Sequence, residues 1–234
     1  MYAYNSAFCG AWRNFYKMKK RCVVVAAGPI SKYEKIRSYL NPETDFYIFC
    51  DNGIAAQKKL GVCADLILGD FDSHENPAEK DSELEKKTLV LPRAKDDTDS
   101  VYAVKYALKK GFKDFLLLGM CGARMDHCLV NIYLLYFLFE QKVNAKIVDD
   151  FSEMQIVGKN PVFVEDSWKY FSLVNICGTS KGVNIKNAKF PLENAVIENT
   201  FQYATSNETL PGKTAEISVE EGSLLLIKIF DTFN

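Results

Sequence analysis

The chain has little histidine, almost no net charge and no long apolar run, and each shortage removes a class of function. With only two histidines, His74 and His127, and no CxxC pair among its seven cysteines, a zinc site would have too few ligands. Acids and bases nearly cancel, 30 against 29, so no global field holds nucleic acid or an anionic membrane, and any anion site must be local. No segment approaches the ~20 consecutive apolar residues of a membrane span. Residues 1–17 are aromatic and weakly basic but lack the continuous apolar core of a secretory signal, and read as an extension or a misassigned start. The cysteines are odd in number and irregular in spacing, and Cys22, Cys50 and Cys63 fall in or near apolar segments. They read as reduced thiols of a cytoplasmic protein rather than as a disulfide framework.

What is present is a substantial core-forming content, 48% hydrophobic, in two textures. From residue 21 to about 150, short β-rich runs alternate with helical ones: RCVVVAAG (21–28), FYIFC (46–50), ADLIL (64–68), TLVLP (88–92), DFLLLG (114–119) and AKIVD (145–149). That alternation predicts an α/β domain with a doubly wound, mostly parallel sheet. After about residue 158 the runs are all β, broken by Gly178, Gly182, Gly212 and Gly222, which predicts a small sandwich-like or partial-barrel β domain. The expected domains are therefore 18–157 and 158–234, with neither an internal repeat nor a Gly/Ser linker between them.

Three acidic stretches sit where strands should give way to helices, the edge at which α/β folds collect ligands: GDFDS (69–73), KDDTD (95–99) and GARMDH (122–127). In the first, Asp70 and Asp72 are two apart, so an extended backbone sends both carboxylates to one side, as Mg²⁺ would need. An Asp-rich turn capped by Ser73 reads equally well. In the second, Asp96 or Asp97 caps a helix expected at 97–110 and Asp99 occupies its first turn. Three acids in four residues nevertheless repel one another unless a cation neutralises them. The third stretch opens a helix over 124–140 on which Arg124, His127 and Asn131 share a face, either for structural hydrogen bonds, to which His127 leans, or for a ligand. Arg124, at the N-terminus, is placed to meet phosphate oxygens. GMCGAR itself matches neither a GxxxxGK(S/T) loop nor a full GxGxxG. In DNG (51–53), Asp51 caps the following helix more readily than it contacts a nucleotide, and TSNET (205–209) reads as a hairpin turn.

Taken in order, DNGIAAQKKLG, ADLILGDFDS, KDDTDSVYAV, GMCGARMDHCLVNIYLL and then TSNET followed by EGSLLLI, the chain resembles the thiamine pyrophosphokinases from about residue 22 to its C-terminus. The resemblance implies transfer of an intact diphosphate from ATP to the hydroxyethyl oxygen of thiamine, giving thiamine diphosphate and AMP. It implies Mg²⁺ held by Asp70, Asp72 and Asp99, with Arg124 on the phosphates. Asp51, Lys95, Asp96, Thr98, Asp126 and His127 match other positions around the nucleotide, and Ser206 and Asn207 match the β-domain turn associated with thiamine. It also implies a homodimer whose active site joins the α/β domain of one subunit to the β domain of the other. The chain departs from the family pattern at Asn52 and Thr205, where small residues are usual. Two other readings compete: a metal-dependent phosphohydrolase with Asp70 as nucleophile, and a thiamine- or nucleotide-binding protein without turnover.

Overall fold

The computed structural model describes residues 20–71, 82–92 and 96–230. By contact the chain forms two compact units, the first ending at Ala145 and the second beginning at Lys146. The textural change near residue 158 falls later, because the run 152–157, polar in its first half, is a strand of the second unit.

The first unit is built on parallel strands β1 (Arg21–Val25), β2 (Asp45–Cys50), β3 (Leu66–Gly69), β4 (Thr88–Val90) and β5 (Asp114–Leu118), in the order β4-β3-β2-β1-β5. Every residue of β2 is buried, as are all but the first of β1 and β5, the expected pattern for parallel strands covered on both faces. Phe46, Tyr47 and Phe49 lie fully within this core, each contributing about 1.5–3 kcal/mol of burial. Arg21 fixes the β1–β2 register from one end: its Nε and Nη2 donate to the Asp45 carboxylate at 3.1 and 2.7 Å, opposite the Arg21↔Asp45 pairing.

The connecting helices are α1 (Tyr33–Arg37), α2 (Gln57–Leu60), α3 (Ser82–Glu85), α4 (Asp99–Lys109) and α5 (Met125–Glu140), with a 3₁₀ segment, Asp51–Ala56, leading into α2. On α4 the buried positions Ala103, Val104 and Ala107 form one stripe. On α5 the stripe is Cys128, Asn131, Leu134, Leu135 and Leu138. Strands step outward from β1 to β4, and β5 then pairs on the other side of β1, so the order reverses between β1 and β5. At that switch point the backbones approach closely: a Cβ on Gly28 would lie 2.4 Å from Gly119 O, while Gly28 N donates to the same oxygen at 2.9 Å.

In the second unit, β6 (Asn144–Val148) and β7 (Ser152–Val157) make an antiparallel hairpin, and β7 continues through β13 (Leu224–Ile229) to β9 (Tyr170–Val174). A four-stranded antiparallel sheet runs β11 (Leu192–Glu198), β10 (Thr179–Lys186), β12 (Thr214–Ser218), β8 (Val162–Glu165). One buried cluster takes Val157, Leu173, Leu224 and Leu226 from the first group and Val164, Val183, Ile185, Ile197 and Ile217 from the second. The sandwich follows from that shared core. The expected fold class, an α/β sheet domain followed by a small antiparallel β domain, is the one observed.

Candidate active site

The parallel strands β2 and β3 end side by side, Cys50 pairing with Leu68, so the residues that follow them emerge at one edge of the sheet. Asp51 leaves β2 with φ of 46°, and beyond Asp70 at the end of β3 Phe71 has φ of 50°. Two adjacent loops thus hold non-glycine residues in the left-handed region, a strain that persists only where surrounding structure enforces it. Asp99 opens α4, which packs against β1, β2 and β3. One carboxylate oxygen each from Asp51, Asp70 and Asp99 lies within 4.8 Å of the other two.

This gathering carries a heavy electrostatic load. Asp51 Oδ1 is buried and accepts no hydrogen bond. The Asp51 carboxyl is pushed up to about 7, first by burial, then by its proximity to Asp99 and the charges of Asp99 and Asp70, against which the Phe71 N–H works. A hard cation would resolve all of this at once, because it would supply the missing partner and remove the repulsion. The donors are all carboxylate oxygens, the set that suits Mg²⁺.

Among the expected metal ligands, Asp70 and Asp99 are brought together, while Asp72 lies outside the described residues, as does Lys95. Asp51 joins the cluster, where the sequence favoured a helix cap. It caps nothing: the 3₁₀ segment has no side-chain cap and begins after Cys50. The signal that could have found it is Gly69 at the end of β3, where a Cβ would collide with the Asp51 carboxylate. The cap of α4 also differs from expectation. Thr98, rather than Asp96 or Asp97, is the N-cap, its hydroxyl accepting from Val101 N at 3.4 Å, and the helix begins at Asp99 rather than 97. Asp97 instead pairs with Lys105 Nζ at 2.7 Å across two helical turns. In a D-D-T-D run several side chains could cap, and the backbone turn selects one. Asp96 is exposed.

At the head of α5, Arg124 and Asp126 form a two-point ion pair, Nε to Oδ1 at 2.9 Å and Nη2 to Oδ2 at 2.6 Å. The pair holds the Asp126 carboxyl well below the usual carboxylate range, the hydrogen bond from Arg124 being the main cause. Both side chains are exposed, so Arg124 is presented to solvent beside four helical N–H groups. His127 is exposed too, against the structural role to which it leaned. Asn131 alone of that stripe turns inward, donating Nδ2 to Met120 O at 2.7 Å. The rest of the helix is less buried than its composition suggested, for Met125, Leu129, Val130 and Tyr133 face outward.

In the second unit, Ser206 is exposed at φ of 55°, its N–H bonded to Ser172 Oγ at 3.0 Å. Asn207 is buried, and its amide is engaged by backbone: Oδ1 accepts from Phe190 N at 3.0 Å and Glu208 N at 2.9 Å, and Nδ2 donates to Phe190 O at 2.8 Å. Thr205 is exposed, as is Asn52.

A parallel sheet whose carboxyl edge gathers three carboxylates, joined in sequence to an antiparallel β unit, places this chain among the α/β proteins that collect ligands at that edge. Comparison with known proteins makes this specific. Residues 38–148 match the family model for the thiamin pyrophosphokinase catalytic domain, and residues 161–224 that for the thiamin pyrophosphokinase vitamin B1 binding domain. The chain is 26% identical over 211 residues to the thiamine pyrophosphokinase of Bacillus subtilis, spanning 89% of this chain and 98% of that protein. The crystal structure of that B. subtilis enzyme superposes with a TM-score of 0.78 at 25% identity, covering 91% of this chain and 100% of its own. The thiamin pyrophosphokinase of Geobacillus thermodenitrificans gives 0.75 at 26% identity, covering 91% and 99%. Yeast thiamin pyrophosphokinase, at 15% identity and a TM-score of 0.71 over 91% and 87% of the two chains, shares the fold. The chain belongs to the thiamine pyrophosphokinase family. It is an enzyme, and its family assigns it to the synthesis of thiamine diphosphate from thiamine.

Proposed function

We propose that this enzyme transfers diphosphate from ATP to the hydroxyethyl oxygen of thiamine, releasing AMP, with Mg²⁺ as its metal. The observation that carries the reading is the convergence of Asp51, Asp70 and Asp99 around a buried, unsatisfied oxygen at the carboxyl edge of the parallel sheet. These three would hold the ion, which when bound neutralises charge on the polyphosphate oxygens.

The protein's own contribution is positioning and electrostatics. In the transfer, the thiamine hydroxyl oxygen bonds to the β-phosphorus of ATP and gives up its proton to solvent, the bond from that phosphorus to the α-β bridging oxygen breaks, and AMP leaves with that oxygen. Arg124 and the first turn of α5 offer donors to the phosphates; Arg124 reaches them by exchanging one carboxylate contact with Asp126 for a phosphate oxygen. Asp96, Thr98, Lys95, Asp126 and His127 complete the proposed nucleotide surroundings, and Asp72 joins the metal ligands. Ser206, exposed on a strained turn, is the residue proposed to touch thiamine, with Asn207 beside it.

A homodimer with a composite site accompanies this reading. It is supported by the outward-facing Met125, Leu129, Val130 and Tyr133 of α5, an apolar stripe that a second subunit would cover. A cytoplasmic setting agrees with the cysteines, which form no disulfide among the described residues. No helix of the described residues is long and apolar enough to cross a membrane. Incubation with ATP and Mg²⁺, with and without thiamine, tests the proposal. AMP release that requires thiamine supports it, and phosphate release that ignores thiamine replaces it with hydrolysis. Saturable thiamine binding without turnover replaces it with a binding protein.

A further inference from the structure

Gly69 ends β3, and nothing in its backbone conformation calls for glycine, since it is absent from the residues with positive φ. Space does call for it. A Cβ at position 69 would lie 1.9 Å from Asp51 Oδ1 and 2.9 Å from Asp51 Cγ. The Asp51 carboxylate therefore occupies the volume that any side chain on Gly69 would fill. It is the same Oδ1 that is buried without a hydrogen-bond partner. Asp51 itself sits in the left-handed region, at φ of 46°.

We propose that Gly69 is a positioning residue for the cation site: its missing side chain is the opening through which Asp51 reaches Asp70 and Asp99. This rests on the reading of that cluster as a cation site. The atoms in the way belong to the far end of a flexible side chain, with the nearest backbone atom, Asp51 Cα, at 3.3 Å. A methyl group at 69 thus moves the carboxylate and leaves the sheet in place. Moving it also separates like charges, so the consequence is asymmetric: cation affinity falls while stability without cation holds or rises.

Mn²⁺ binding by titration calorimetry and melting in chelator, applied to the full chain, test this in a two-residue cycle of Gly69→Ala, Asp51→Gly and the double variant. Glycine accepts the positive φ of position 51, so Asp51→Gly removes the carboxylate without new strain. Gly69→Ala is expected to weaken Mn²⁺ binding by about 10- to 100-fold, the range for disturbing the support of a ligand. In the Asp51→Gly background the same change is expected to cost nothing further, because the side chain it displaces is gone. Gly69→Ala binding Mn²⁺ like the parent overturns the inference, as does an equal additional loss in the Asp51→Gly background. If Gly69→Ala alone fails to fold, the inference requires the double variant to fold, and a double variant that also fails overturns it. A parent chain that binds no Mn²⁺ overturns the cation reading itself, and this inference with it.

Discussion

Asp70→Asn should make the protein more stable without metal and unable to use metal. One oxygen of Asp70 lies within 4.8 Å of oxygens from Asp51 and Asp99. At that separation two unit charges repel by about 0.9 kcal/mol in water and about 3.5 kcal/mol at an effective dielectric of 20. The three acids are half-buried, so neutralising one relieves on the order of 1–3 kcal/mol when all are ionised. For a chain of this size each kcal/mol shifts Tm by about 2–4 °C. In chelator, at a pH above the Asp51 value, Asp70→Asn should melt a few degrees above the parent. With Mg²⁺ at about 100 times its Kd the parent gains about 2.7 kcal/mol. The variant should lose most of that gain together with its activity. Differential scanning calorimetry in chelator and in Mg²⁺ reads both effects. A variant that melts lower in chelator refutes the repulsion, and one that Mg²⁺ stabilises as strongly as the parent refutes the assignment of Asp70.

Three other perturbations probe separate parts of the account. Asp51, pushed up to about 7 from 3.8, keeps its proton in the folded chain across a range where the unfolded chain has lost it. Stability without cation should therefore fall as pH rises through that window, while Mn²⁺ affinity climbs with pH and levels off above about 7; an affinity flat from about pH 5.5 to 8 contradicts this. In the β unit, Glu153 is buried against Lys228 Nζ at 2.6 Å and Lys146 Nζ at 2.9 Å. Burial would raise its carboxyl, but the two ammonium groups hold it below the ordinary value, so the stabilisation is present above that value and lost in acid. Lys228→Met should cost about 3–5 kcal/mol in urea denaturation, and adding Glu153→Leu should recover most of it; a double variant as unstable as the single contradicts the account. Asn207→Ala strips partners from Phe190 N and O, at about 1–3 kcal/mol for each group left unsatisfied. A clear drop in β-unit stability is expected, and an unchanged denaturation midpoint would return Asn207 to a role in binding alone.

The parallel sheet was legible because its strands are nearly continuous apolar runs between helical segments, and each of the six runs from 21 to 149 contains a strand. Strand β7 was not, since SEMQIV mixes a buried glutamate with polar residues, and Glu153 is buried against Lys228 of β13 and Lys146 of β6, partners that lie outside the segment. The acidic character of the candidate site was legible, and its membership was blurred. Asp70 and Asp99 stand in conspicuous acidic runs. Asp51 stands in a turn sequence whose commonest use is capping, and its role depends on β2 and β3 being neighbours, a relation between segments that local pattern does not contain. Thr98 outcompeted two aspartates as helix cap because the chain turns at that residue, and Asn207 reads as a polar turn residue although its amide is consumed by the backbone of residues 190 and 208.

The most direct test of the central claim is the release of AMP from ATP and Mg²⁺, measured with and without thiamine alongside formation of thiamine diphosphate. The account predicts AMP and thiamine diphosphate in equal amounts, only when thiamine is present, and neither from Asp70→Asn. Inorganic phosphate released at the same rate in the absence of thiamine would contradict it.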